Sequence, residues 1–282
     1  MPASPSITFH DGRSIPQLGY GVWQVENEVA ADVVVQALEA GYRHIDTARG
    51  YNNEAGVGTA LKTAGLTRDD VFVTSKVPNQ DQGRDKTLAS FDGTMADLGL
   101  EQLDLYLIHW PAPSKGLAVE TWKTLIELQE QGRIRSIGVS NFRIEDLEKL
   151  EAETGVLPVL NQIELHPYFN QPELREFHAS KNIVTESWSP LGQGGGELED
   201  PVIKKIADAH GADIAQVVIA WNLALGNVVI PKSVTPKRIA SNLASLEVEL
   251  TDDEVAQITA LHKGAEGRRG GNPDDMIAHQ GA

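Results

Sequence analysis

The sequence predicts an α/β fold: a (β/α)8 TIM barrel with an N-terminal β-hairpin and a C-terminal extra helix and loop. Three observations predict it. Apolar runs of strand length alternate with longer amphipathic runs of helical period, eight times in succession. The 282 residues suffice for one such barrel. No linker or low-complexity stretch divides the chain, so residues 1–282 read as a single barrel domain. A doubly wound open sheet is the structural alternative.

The elements follow in chain order. Residues 7–9, the turn pair Asp11-Gly12, and residues 14–15 read as the hairpin. Strands are expected near residues 18–21, 44–46, 71–76, 104–109, 134–140, 159–163, 184–187 and 228–230. Helices are expected near residues 28–40, 53–64, 85–98, 118–131, 144–153, 171–181, 202–225 (read as two) and 236–243. A further helix over residues 252–261 starts after Thr251, a good N-cap followed by acidic residues that suit a helix N-terminus. Residues 264–282 are polar and glycine-rich without a helical period, and read as a mobile tail or a flap.

Composition narrows the function classes. The chain carries 24 basic and 40 acidic residues, a net charge of −16, which repels nucleic acid. No apolar run approaches the ~18–20 residues of a membrane span, and the first residues do not read as a signal peptide. Cysteine is absent, which excludes disulfides, thiolate nucleophiles and cysteine-ligated zinc and fits a cytoplasmic setting. The eight histidines contain no His-x-x-x-His pair, so no metal site is expected. Gly56-Val57-Gly58-Thr59-Ala60-Leu61 begins like a dinucleotide fingerprint, but it lacks the third glycine and lies inside an expected helix.

The chemistry sits at strand ends. Asp46 and Tyr51 follow one strand, Lys76 closes the next, and His109 closes the one after. Parallel barrel strands bring these four to one face. Reducing a carbonyl needs a hydride on carbon and a proton on oxygen. A free phenol has a pKa of roughly 10, a poor match to neutral pH. The Lys76 ammonium is expected to lower the Tyr51 pKa, with Asp46 anchoring Lys76 and His109 orienting the carbonyl. Taken singly, Asp46 and Lys76 would read as an ordinary ion pair; together the four form an acid–base constellation. His166 reads as structural, with no acid–base partner evident, and His44 as packing.

Three ordered motifs carry a resemblance. Gly41–Ala48 (GYRHIDTA), followed by Tyr51, Asn53-Glu54 and Val57-Gly58, resembles the first signature of the aldo-keto reductases. Gly132–Phe142 (GRIRSIGVSNF) resembles the second, and Ile230-Pro231-Lys232-Ser233 with Arg238 and Asn242 resembles the third. The likeness runs from about residue 7 to residue 261. Glu186–Gly194 (ESWSPLGQG) is similar to the bacterial branch that includes 2,5-diketo-D-gluconate reductases.

The resemblance implies NADPH bound without a Rossmann domain, extended across the barrel mouth. It implies Asp46, Tyr51, Lys76 and His109 as catalytic residues. Ser140, Asn141 and Gln162 would hold the carboxamide, and Trp188 would stack on the ring. Ser189, Leu191 and Gln193 would line the pyrophosphate path. Lys232, Ser233 and Arg238 would grip the 2′-phosphate, and Asn242 the adenine. Trp23 joins the cofactor contacts and, with Tyr51, His109 and Trp110, the substrate contacts; Tyr20 and Asn53 are further candidate walls. The implied activity is NADPH-dependent reduction of aldehydes or activated ketones, such as diketo-sugar acids or small dicarbonyls, by a cytoplasmic monomer. The alternative is an NADPH-binding regulatory barrel with little turnover.

Two positions depart from the family pattern. Val77-Pro78 follows Lys76 where an aromatic wall is common, and Ser241-Asn242 replaces Glu-Asn in the third motif. The second change removes a contact worth ~1 kcal/mol. The tail also has no aromatic residue, so a wide, permissive site is expected.

Overall fold

The computed structural model describes residues 3–274. A two-stranded antiparallel hairpin comes first, β1 (Ser6–Thr8) and β2 (Ser14–Pro16), with Ser6 opposite Pro16. Eight parallel strands follow in sequential order: β3 (Tyr20–Gly21), β4 (His44–Asp46), β5 (Phe72–Val77), β6 (Leu103–Ile108), β7 (Ile134–Ser140), β8 (Leu160–Glu164), β9 (Val184–Trp188) and β10 (Val228–Val229). A parallel bridge between Leu18 and Val229 joins the first and last strands, with Gly19 N donating to Val229 O at 2.9 Å. The sheet therefore closes, which removes its edges.

Ten α-helices lie among the described residues: α1 (Asn27–Ala40), α2 (Glu54–Thr63), α3 (Arg84–Leu98), α4 (Ala118–Glu130), α5 (Ile144–Thr154), α6 (Pro172–Ser180), α7 (Pro201–His210), α8 (Ile214–Ala224), α9 (Pro236–Leu243) and α10 (Asp252–Thr259). The 202–225 run is indeed two helices, α7 and α8. Gly211 in the left-handed region (φ 61°) ends the first, and a capping box from Asp213 to Gln216 starts the second. Thr251 caps α10 in the same way, its hydroxyl paired with Glu254.

Alternation along β6 explains the layers. Leu105 and Leu107 cluster with Phe9 and Ile15 of the hairpin, while Tyr106 meets Phe91 of α3 at 5.2 Å between ring centroids. The hairpin thus plugs one end of the barrel; full burial of Ile15 contributes about 2 kcal/mol. The Gly56–Leu61 decoy lies inside α2. A Cβ on Gly58 would stand 2.4 Å from Asp97 O, and one on Gly56 2.5 Å from Asn27 O. These glycines let α2 pack against its neighbours and serve no phosphate.

Of the two readings of residues 264–282, a mobile tail or a flap, residues 264–274 take the second: they form a strap. Lys263 N donates to Tyr168 O at 2.8 Å, and the Lys263 ammonium sits 3.3 Å above the Tyr168 ring. Arg269 N and Gly270 N donate to the two oxygens of Glu164, at 2.5 and 2.9 Å. The remainder of the expected tail, residues 275–282, lies outside the described residues.

Candidate active site

The C-terminal ends of the strands surround a cleft of about 370 Å³. Register puts the chemistry there: Lys76 pairs with Leu107 across β5 and β6, and Asp46 with Thr74 across β4 and β5. Lys76 is fully buried at the cleft floor. Its ammonium donates to Asp46 Oδ1 at 2.7 Å, to Thr47 O at 2.9 Å and to the Tyr51 hydroxyl at 3.3 Å. All three ammonium protons are thereby engaged. The Tyr51 and His109 rings meet edge-on, 5.6 Å between centroids.

Electrostatics modify one expectation. Burial pushes the Tyr51 phenol up, Lys76 pulls it down, and Asp46 pushes it up again; the net direction is upward. The expected net fall does not occur, because the phenol is buried and its cation is shared with a carboxylate. Burial opposes the charged form of Lys76, but Asp46 and Tyr51 outweigh it and the net shift is upward. Burial, reinforced by Lys76, holds His109 well below the ordinary histidine value, so its imidazole is neutral. A neutral imidazole keeps one N–H to donate.

Beside this group, the Ser140 hydroxyl donates to Gln162 O at 2.9 Å. The Asn141 amide donates to His109 O and Ser140 Oγ, and Trp188 Nε1 donates to Asn141 Oδ1 at 2.8 Å. The Gln162 amide nitrogen donates to Asp46 Oδ2 at 2.8 Å and to Glu186 Oε2 at 2.7 Å. Asn141 and Ser189, each the first residue after its strand, hold left-handed backbones with φ of 63° and 49°. Such conformations are uncommon outside glycine and cluster at functional sites.

The expected residues divide in two. Trp23, Asp46, Tyr51, His109, Trp110, Ser140, Asn141, Gln162, Trp188, Ser189, Gln193 and Lys232 line the cleft, with Lys76 beneath. Leu191, Ser233, Arg238 and Asn242 do not line it. Leu191 packs against the apolar core, Asn242 is buried, and Ser233 accepts the Tyr20 hydroxyl on its carbonyl oxygen. Tyr20 and Asn53 are not cleft walls. Both are buried, and the Asn53 amide nitrogen donates to Val22 O and Val25 O.

Sequence reasoning missed the strap residues Arg269, Gly270 and Gly271, which line the cleft. It also missed the partners of His166. His166 Nε2 lies 3.0 Å from Glu164 Oε1 and its Nδ1 2.9 Å from Glu197 Oε1. The signal was present for Glu164, because residues two apart on an extended segment share a face.

An extended dinucleotide suits these residues. Both Gln162 amide protons are spoken for, which leaves its carbonyl oxygen to accept from a carboxamide. Lys232, exposed at the rim, offers a cation to a phosphate.

Comparison with known proteins agrees with this geometry. Residues 17–263 match the family model described as the Aldo/keto reductase family. An aldo-keto reductase of Mycolicibacterium smegmatis is 54% identical over 261 residues, covering 93% of this chain and 94% of that protein. The methylglyoxal reductase DkgA of Escherichia coli is 50% identical over 276 residues, covering 97% and 99%. The crystal structure of apo Gox0644 superposes with a TM-score of 0.93 at 49% identity, covering 96% of this chain and 98% of that one. A Gox0644 variant in complex with NADPH gives the same TM-score at 48% identity, covering 98% and 99%. A match this long, over a closed barrel with a lysine, a tyrosine and a histidine at its mouth, makes the chain a member of the aldo/keto reductase family, an oxidoreductase that uses NADP(H).

Proposed function

We propose that this enzyme reduces small aldehydes and activated ketones to alcohols, with Tyr51 as general acid. The observation that carries the reading is the contact of the Tyr51 hydroxyl with the Lys76 ammonium at 3.3 Å, beside the neutral His109 imidazole at the cleft floor. NADPH, when bound, supplies the hydride. The chain's own residues do the rest. Lys76, pinned by Asp46 and Thr47, stabilises the phenolate left when Tyr51 gives its proton to the carbonyl oxygen. His109 donates a hydrogen bond to that oxygen and orients it. Ser140, Asn141 and Gln162 hold the carboxamide, Trp188 flanks the ring, Ser189, Leu191 and Gln193 follow the pyrophosphate, and Lys232, Ser233, Arg238 and Asn242 take the adenosine 2′-phosphate end.

Small dicarbonyls such as methylglyoxal, and diketo-sugar acids, are the favoured substrates. The similarity to DkgA supports the first, and the missing aromatic after Lys76 supports a roomy site for either. The absence of cysteine supports a cytoplasmic setting. A monomer is favoured, since the large exposed apolar side chains among the described residues are only Trp23, Val29, Leu198 and Val234.

Tyr51→Phe is the test. NADPH-dependent turnover should fall by roughly 100- to 10,000-fold while quenching of protein fluorescence by NADPH persists. Turnover within a few-fold of the parent would refute the role.

A further inference from the structure

Glu186 has no part in the chemistry above, yet it touches it. It stands on β9, pointing into the barrel, with 0% exposure. Gln162 on the neighbouring strand donates one amide proton to Glu186 Oε2 at 2.7 Å and the other to Asp46 Oδ2 at 2.8 Å. Flipping the amide would press its carbonyl oxygen against Asp46 Oδ2 and take the donor away from Glu186 Oε2, so the pair of acids together sets its orientation. Glu186 Oε1 has no hydrogen-bond partner among the described residues. We propose that Glu186 is a positioning residue of the cofactor site: together with Asp46 it takes both amide protons of Gln162 and fixes the Gln162 carbonyl toward the cleft. The inference rests on the proposed contact of Gln162 with the nicotinamide carboxamide.

The surroundings decide the charge of Glu186. The titratable groups facing it are His44 and Asp46 of β4, Lys76 of β5, and Tyr51. His44 Nε2 lies 3.8 Å from Glu186 Oε1, but burial and Lys76 push His44 down to about 3, so it is neutral. Lys76 is saturated by Asp46, Thr47 and Tyr51. Burial first, and then Asp46, push the Glu186 carboxyl up to about 8. The shift favours the protonated acid, and in that form Oε2 still accepts from Gln162. A cofactor lying over Gln162 displaces water from the cleft and disfavours the ionised form further. By linkage, NADPH then binds less tightly once Glu186 ionises.

The test reads binding, so a failure of the Tyr51 proposal leaves it intact. Glutamate carboxyl carbons are followed by NMR from acid to alkaline pH in the full-length protein, in E186Q and in E186L. One glutamate should titrate far above the rest, be missing from E186Q, and move to higher pH when NADPH saturates the site. The NADPH dissociation constant should climb in alkaline buffer for the parent and stay level for E186Q, whose amide oxygen still accepts from Gln162. E186L removes the acceptor and should weaken NADPH binding about fivefold at every pH, the fold-change of one lost hydrogen bond. Three results overturn the inference: no glutamate titrating above the acidic range, a midpoint indifferent to NADPH, or E186L binding NADPH as tightly as the parent.

Discussion

Removing the Glu164 carboxylate should unfasten the strap over the cleft and leave the barrel intact. Glu164 is buried and accepts from two consecutive backbone amides, Arg269 N at 2.5 Å and Gly270 N at 2.9 Å. Hydrogen bonds to a charged acceptor contribute roughly 1.5–3 kcal/mol each. Both amides are only partly shielded and can turn to water once freed, so the lower end applies, and Glu164→Ala should cost the docked strap about 3 kcal/mol. At ~1.4 kcal/mol per decade, opening of the strap becomes about a hundredfold more frequent. The Lys263–Tyr168 and Arg268–Phe169 contacts and the Arg269 Nη2 bond to Gly195 O at 2.9 Å persist, so the strap stays nearby. Hydrogen exchange resolves the prediction. Amides of residues 264–274 should exchange about a hundredfold faster, those of Leu103–Ile108 at the parental rate, and trypsin should cut sooner at Arg268 and Arg269. Parental exchange in the strap, or an equal loss of protection in β6, would refute the reasoning.

The strap should also respond to pH through His166. Burial pulls that imidazole down, but Glu164 and Glu197 outweigh it and the net shift is up, while Glu197, raised by burial but lowered more by His166, ends below the usual range. A raised histidine stabilises most below its unfolded pKa of roughly 6.5 and loses that contribution as pH rises through the folded value. Strap protection should therefore decline on the alkaline side, and His166→Gln should flatten the decline in the same exchange experiment. Replacing Lys232 and Arg238 together by Ala should raise the dissociation constant for NADPH at least tenfold more than that for NADH, measured by fluorescence titration; equal losses would dismiss the 2′-phosphate assignment.

The proposed catalytic quartet was legible because Asp46, Lys76 and His109 stand at strand ends and Tyr51 in the short turn after β4, and parallel strands in a closed barrel deliver their ends to one rim. Asp46, Lys76 and His109 needed only that rule. The helix pair α7 and α8 was legible for a similar reason, since a glycine and a capping residue interrupt one apolar period. What escaped depends on sums or on distant backbone. The net direction of the Tyr51 phenol is a balance of burial, one cation and two acids, which no spacing reveals. A flap was one reading of this segment, but its attachment escaped because it binds through main-chain N–H groups to Glu164, 105 and 106 residues away. A glycine-rich segment without period looks like a tail whether or not its amides find an acceptor. Gly270 is part of that device: a Cβ there would stand 2.3 Å from Trp188 Cη2, so only glycine lets the strap lie against the indole.

A raised phenol is compatible with a tyrosine acid. Until reduction begins, the proton must stay on Tyr51, and burial keeps it there. As electrons arrive at the carbonyl carbon, its oxygen approaches an alkoxide, comparable in basicity to hydroxide and far more basic than a phenolate. In the proposed mechanism that oxygen would take the proton even from a phenol above its ordinary value, and Lys76 would then face a phenolate instead of a phenol. The value of Lys76 is thus largest after transfer, which is what stabilising a transition state more than its ground state requires. Asp46 limits how far that help can go by sharing the ammonium, and a second ionised acid at Glu186 would limit it further. With its shift upward toward the protonated form, Glu186 would leave Asp46 as the carboxylate opposite the Lys76 ammonium until the phenolate of the proposed mechanism forms.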